Sequence, residues 1–178
     1  MESDLDLDRG FVHIYTGDGK GKTTAALGLA LRAAGAGWRV FIAQFVKGMH
    51  SSELSALERL SDQVAVRQFG RSCFVNRAPQ PPDQEWAERG LAECRRVIRA
   101  GDHRLVVMDE ANVAVAMGLL SIDALLELVE LRPLRTELVI TGRWAHPRLL
   151  AVADLVTEMR EVKHYWRQGV VARVGVEK

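Results

Sequence analysis

Phe11-Val-His-Ile-Tyr-Thr-Gly-Asp-Gly-Lys-Gly-Lys-Thr-Thr-Ala-Ala-Leu-Gly-Leu-Ala30 is the stretch that decides the fold. Its opening residues Phe11, Val12, Ile14 and Tyr15 are apolar, β-branched or aromatic and stop at Thr16-Gly17, the composition of a short buried strand. Gly17, Gly19 and Gly21 permit dihedrals that a Cβ forbids, so successive N–H groups can turn inward on an anion. Lys22 adds a positive charge, and Thr23 a hydroxyl suited to Mg²⁺. A helix expected from about Thr23 to Ala34 aims its positive end at the same point. Strand, loop and helix together predict a phosphate-binding loop of the Walker A type. A strict Walker A pattern has glycine where this chain has Thr16, but Gly17 to Thr24 is intact. Lys20 and Lys22 crowd one tight turn, and an anion between them relieves their repulsion.

A second half of the site stands at Arg104-Leu-Val-Val-Met-Asp109-Glu110, an apolar run ending in two carboxylates. This is the Walker B form, in which a buried parallel strand carries acids to its carboxyl end, where Mg²⁺ or its waters need anionic oxygen. Further strands are expected at Trp38–Phe45, Val64–Phe69, Glu137–Thr141 and Leu155–Met159, with an edge strand at Val170–Val176. Helices are expected at Ser51–Leu60, at Ile122–Leu131 behind a Ser121 cap, and from His146-Pro147 to Ala153. A long amphipathic helix, Asp83–Ala100, would turn Trp86, Leu91, Cys94, Val97 and Ile98 to the core. The alternation predicts an α/β fold of the P-loop NTPase (RecA-like) class, a mostly parallel sheet flanked by helices. Residues 10–178 are read as one domain and residues 1–9 as an acidic tail. Ligands of such sheets lie beyond the carboxyl ends of the strands, which makes Gln44, Lys47 and Arg143 candidates, along with the turn-rich loop 70–82. Glu158 is either a pairing partner or a site residue.

Bulk properties narrow the partners. The chain has 178 residues, 24 Lys+Arg against 23 Asp+Glu, so its formal charge of +1 favours neither nucleic acid nor an anionic membrane. No run approaches a membrane span, and the acidic first residues are the opposite of a leader peptide, which leads to a cytoplasmic expectation. Cys73 and Cys94 have no metal-ligand spacing, and the five histidines show no paired spacing.

From the residues alone the reading ends at an ATP- or GTP-binding domain using Mg²⁺, since no nucleophile, base or catalytic triad stands out. A small-molecule phosphotransferase and a nucleotide-binding regulator without turnover both remain open at that point. The set Thr16-Gly-Asp-Gly-Lys-Gly-Lys-Thr-Thr24, Gln44-Phe-Val-Lys-Gly48, Met108-Asp-Glu110, Thr141-Gly-Arg143, Asp154-Leu-Val-Thr-Glu-Met159 and Lys163-His164 resembles the ATP:corrinoid adenosyltransferases of the cobalamin-synthesis type. In that family Thr stands at the position of Thr16. The resemblance implies transfer of the 5′-deoxyadenosyl group of ATP to Co(I) of a corrinoid, with triphosphate released and the nucleotide held in a reversed sense. It implies that Thr16, Gly17, Asp18, Gly19, Lys20, Gly21, Lys22, Thr23 and Thr24, with Arg143, bind ATP. Thr23 and Glu110 would hold Mg²⁺ with Asp109 beside them, while Gln44, Lys47, Phe74 and Asn76 would face the corrinoid. The family places two aromatics after the third strand, where they displace the lower cobalt ligand; here only Phe74 is aromatic, and Asn76 or Val75 fills the second position. Lys22, Thr23, Glu110 and Phe74 are thus the expected catalytic set. A homodimer and a flavodoxin-type reductant are implied in the same way.

Overall fold

The apolar runs that end in turn residues become strands because each can be covered on both faces. In the computed structural model, which describes residues 8–71 and 78–177, six strands form one sheet. They are β1 (Val12–Thr16), β2 (Val40–Phe45), β3 (Val64–Phe69), β4 (Leu105–Asp109), β5 (Glu137–Thr141) and β6 (Leu155–Glu158), in the spatial order β3-β2-β4-β5-β1-β6. Every neighbouring pair is parallel. Parallel pairs need crossovers, and those crossovers are helices: α1 (Lys22–Gly35), α2 (Ser52–Leu57), α3 (Pro81–Ala100), α4 (Ala111–Ala116), α5 (Ile122–Leu131) and α6 (Pro147–Val152).

Alternation along each strand divides the core in two. Val40 and Ile42 of β2, Leu105 and Val107 of β4 and Val139 of β5 pack with Ala26, Ala30, Ala33 and Ala34, the small-residue stripe of α1. Phe41, Ala43 and Phe45, with Val106, Met108, Leu138 and Ile140, pack on the other side against Leu91, Cys94, Val97 and Ile98 of α3 and against Leu125 and Leu128 of α5. Gly90 lets α3 settle onto the sheet: a Cβ there would stand 2.7 Å from Phe69 Cγ and 2.8 Å from Phe45 Cε1. Full burial of Cys94 pushes its thiol pKa up and keeps it protonated.

Several expectations change. Val170–Val176 is not a strand; the segment has no regular structure up to its final turn, and β6 occupies the sheet edge beside β1. Trp86 does not point to the core but is 37% exposed, with Arg89 5.4 Å above its ring. α3 starts at Pro81 rather than Asp83, because prolines suit a first helical turn that needs no N–H donors, and Asp83 accepts a bond from Gln80 N–H at 2.9 Å. The expected 51–60 helix is α2 followed by a 3₁₀ turn at Glu58–Leu60. The acidic tail is tied down at Asp8, which pairs with Arg104 at 2.6 Å and Arg135 at 3.1 Å. Residues 1–7, Cys73, Phe74 and Asn76 lie outside the described residues.

Candidate active site

The glycine loop links β1 to α1 at the carboxyl edge of the sheet. Gly17 (φ 91°) and Gly21 (φ 119°) take left-handed backbone. A Cβ on Gly17 would meet Met159 O at 2.4 Å, so glycine here also serves a close approach by the chain leaving β6. Gly19 donates its N–H to Met159 O at 2.7 Å, and the first-turn N–H groups of α1, from Lys22 to Thr24, have no backbone partner among the described residues and are suited to an anion. Lys22 folds back over the loop and donates to the carbonyls of Gly17 and Gly19, both at 2.7 Å. Burial lowers its pKa, and the negative field of Glu110 works against that shift. Thr16 Oγ1 accepts from Ala145 N–H at 3.4 Å, so this side chain ties β1 to the segment after β5.

A polar row crosses the sheet beside the loop. Register sets Gln68 opposite Gln44, Gln44 opposite Asp109, and Tyr15 opposite Thr141. Asp109 is 1% exposed and accepts from four side chains. Thr23 Oγ1 (2.8 Å) and Thr141 Oγ1 (2.7 Å) donate to its Oδ1, and Lys47 Nζ (2.9 Å) and Gln44 Nε2 (3.3 Å) to its Oδ2. Gln68 Nε2 in turn donates to Gln44 Oε1 at 3.0 Å. Burial works to lower the Lys47 pKa, but the attraction and hydrogen bond of Asp109 outweigh it and hold the ammonium above its ordinary value. Next to Asp109 the backbone turns left-handed at Glu110 (φ 60°), whose N–H donates to Thr141 Oγ1 at 3.0 Å. Burial, reinforced by the Asp109 charge, raises the Glu110 carboxyl.

Loop and row open into a cleft of about 900 Å³, a size suited to a nucleotide-scale ligand. Asp18 to Thr24, Lys47, Glu110 and Arg143 all line it. Arg143 is exposed at the mouth and donates to Asp18 O at 3.3 Å. Gln44 does not line the cleft; it is fully buried, and its amide braces Asp109, because a polar side chain beneath a carboxylate is held by it. Glu158 contacts Arg160 at 3.6 Å and is also outside the cleft lining. The opposite wall is a part of the chain given no place in the site by sequence patterns beyond the family motif: Glu161, His164, Trp166 and Val176 of the C-terminal segment, tied to the loop by Lys20 Nζ on Val176 O at 3.0 Å. Its nearest signal in the sequence is Lys163-His164. Gln68 and Asn112 also carry polar contacts here that went unread; an asparagine two residues after Asp109-Glu110 in an otherwise apolar stretch is the available cue.

Among the described residues no three His, Cys, Asp or Glu side chains converge as a metal cage. The donors present are hard oxygens, the Thr23 hydroxyl and the Asp109 and Glu110 carboxylates, which suit a hydrated Mg²⁺ shared with phosphate oxygens. Asp109 already holds the Thr23 hydroxyl, so its fit is to orient that ligand, while Glu110 faces the cleft.

Comparisons with known proteins show the family and the fold. The family described as ATP:corrinoid adenosyltransferase BtuR/CobO/CobP matches residues 8–177. A corrinoid adenosyltransferase of Pseudomonas aeruginosa is 35% identical over 171 residues, covering 96% of this chain and 84% of that protein. One from Escherichia coli K12 is 34% identical over 178 residues, covering 96% and 86%. Among solved structures, a KaiC-like protein from Pyrococcus horikoshii superposes with a TM-score of 0.57 at 17% identity, over 87% of this chain and 74% of that one, a likeness of fold.

Proposed function

The chain belongs to the ATP:corrinoid adenosyltransferase family, and from that premise we propose how its α/β P-loop fold adenosylates a corrinoid with ATP. The carrying observation is the Asp109 cluster, which joins the Thr23 hydroxyl of the phosphate loop to Lys47 at a cleft also lined by Lys20, Lys22 and Arg143. Three cations around one loop, Lys20, Lys22 and Arg143, match a triphosphate better than a single transferred phosphoryl group. In the reaction Co(I) of the corrinoid supplies an electron pair to the 5′ carbon of ATP. A cobalt–carbon bond forms, the carbon–oxygen bond to the triphosphate breaks, and the triphosphate leaves with that bond's electrons while cobalt becomes formally Co(III). Because Co(I) is itself the nucleophile, the protein needs no base to activate it.

The work left to the side chains is positioning and charge neutralisation. Lys22, released from its loop carbonyls, and the first N–H groups of α1 bind the triphosphate. Lys20 and Arg143 close its outer side. Thr23 and Glu110 would hold Mg²⁺, which supplies further neutralisation of the leaving group. Lys47 is anchored on Asp109 at the end of β2, next to Gly70 and Arg71, and we assign that border to the corrinoid, with Phe74 and Asn76 as its residues. The same reading takes residues 10–178 as one catalytic domain in the cytoplasm, supplied with electrons by a flavodoxin-type donor. It also takes the enzyme as a homodimer, consistent with the open edge of β6, where Leu155 and Val156 are exposed.

Incubation with ATP and pre-reduced corrinoid tests the function. Intact triphosphate and the absorbance of an alkylated corrinoid are expected; ADP with a phosphorylated product would indicate a phosphotransferase, and binding without a cobalt–carbon bond a regulator. Lys22→Ala is expected to abolish turnover, and retained turnover would contradict the assignment of the loop.

A further inference from the structure

Trp144 stands in the cleft with an exposed aromatic face and a backbone that folding alone does not favour. It is 61% exposed, lines the cleft, and has a φ of 59°, left-handed for a residue with a bulky Cβ. Each of the other tryptophans has an intramolecular partner. Trp38 lies 4.3 Å from the Arg104 guanidinium and Trp86 5.4 Å from that of Arg89, while Trp166 donates its Nε1–H to Glu161 at 3.3 Å. Among the described residues no hydrogen bond, ring contact or cation contact involves the Trp144 indole. An indole usually buries its face and pairs its N–H, and this one does neither.

The loop that carries it is held on three sides. Asn112 Nδ2 donates to Gly142 O at 3.3 Å, Arg143 Nη2 to Asp18 O at 3.3 Å, and Ala145 N–H to Thr16 Oγ1 at 3.4 Å. These ties join the residues on both sides of Trp144 to the phosphate loop and to α4, so the unusual backbone sits in a segment held at both ends. Strain held by its surroundings at a cleft is the pattern of a residue placed for a ligand. Resting on the reading of this cleft as the ATP site, we propose that Trp144 is the stacking platform for the base of ATP. The phosphate loop grips one end of the nucleotide, and the indole face orients the adenosine at the other, so that the 5′ carbon is held between two fixed points.

Calorimetric titration with Mg²⁺ present and no corrinoid tests this, using ATP and inorganic tripolyphosphate as paired probes. Trp144→Gly removes the ring and relieves the left-handed backbone, so this variant is expected to fold with an unchanged or raised Tm. It is expected to bind ATP about tenfold more weakly and tripolyphosphate as wild type does. Trp144→Phe, which keeps a flat face, is expected to recover most of the ATP affinity. Equal ATP affinity in wild type and Trp144→Gly would overturn the proposal, as would equal weakening towards both probes. A Trp144→Gly defect confined to the corrinoid KM would overturn it too, and would move the residue to the second substrate. Wild type that fails to bind ATP at all would overturn the function proposed above along with this inference, whereas an ATP-binding wild type with an indifferent Trp144→Gly removes the inference alone.

Discussion

Asp109 shows how one residue can organise a site without touching much of the solvent. Its two oxygens collect Thr23, Thr141, Lys47 and Gln44. Asp109→Asn would turn one of those oxygens into a donor facing donors and would leave the Lys47 charge uncompensated. Turnover is expected to fall about 10–100-fold with a raised Mg²⁺ requirement; an unchanged Mg²⁺ titration would remove Asp109 from the role of orienting Thr23. Glu137 plays a structural counterpart at the other end of the sheet, accepting from His13 Nε2 and from Phe11 N–H, both at 2.7 Å. Burial would raise this carboxyl, but those two bonds together hold it below its ordinary value. A depressed carboxyl adds stability above the unfolded pKa, and that stability is lost as pH falls through the native one. Glu137→Gln is therefore expected to cost about 1 kcal/mol in urea unfolding at neutral pH, with the gap to wild type closing below pH ~4. The acids of the site were legible at this scale because an apolar run ending in Asp-Glu, weak evidence alone, follows a phosphate loop in the same domain. Their partners Thr141 and Gln44, and Gln68 behind Gln44, were not all legible as such, because a hydrogen-bonded row across a sheet depends on strand order.

At the scale of elements, α3 depends on a missing side chain. Gly90 would ordinarily weaken a helix, and replacing it by alanine would add about 1 kcal/mol in an open position. Here the added Cβ would press on Phe69 and Phe45 at 2.7–2.8 Å. Overpacking outweighs propensity, so Gly90→Ala is expected to destabilise by about 1–2 kcal/mol, read as a lower urea midpoint; a higher midpoint would show that α3 can move away. The element most thoroughly misread was Val170–Val176. Its alternation fits an edge strand, but a period of two states only that a segment could pair. β6 takes the place beside β1, from His13 opposite Leu155 to Thr16 opposite Glu158. α4 went unread for a different reason: apart from Asn112 its residues are apolar, so it lacks amphipathic periodicity, and its start depends on the left-handed turn at Glu110.

Across the whole molecule, the C-terminal segment returns over the phosphate loop and completes the cleft while burying little of itself; Val162, Val171 and Val174 are largely exposed. Deleting residues 164–178 is expected to weaken ATP binding while shifting Tm by only about 4 °C or less. Unchanged ATP affinity would mean that this wall does not touch the nucleotide. The sequence alone determined the class of fold and the identity of the two acidic and basic centres, because these depend on local patterns: a strand, a glycine turn and a helix in succession, and an apolar run ending in carboxylates. The tertiary structure decided which side chains complete those centres. Lys47 meets Asp109, the C-terminal segment meets Lys20, and Trp144 meets the cleft only because strand order brings β2, β4, β5 and β1 side by side. That order is set by competition among apolar faces for burial, a property of the assembled chain that no local stretch contains.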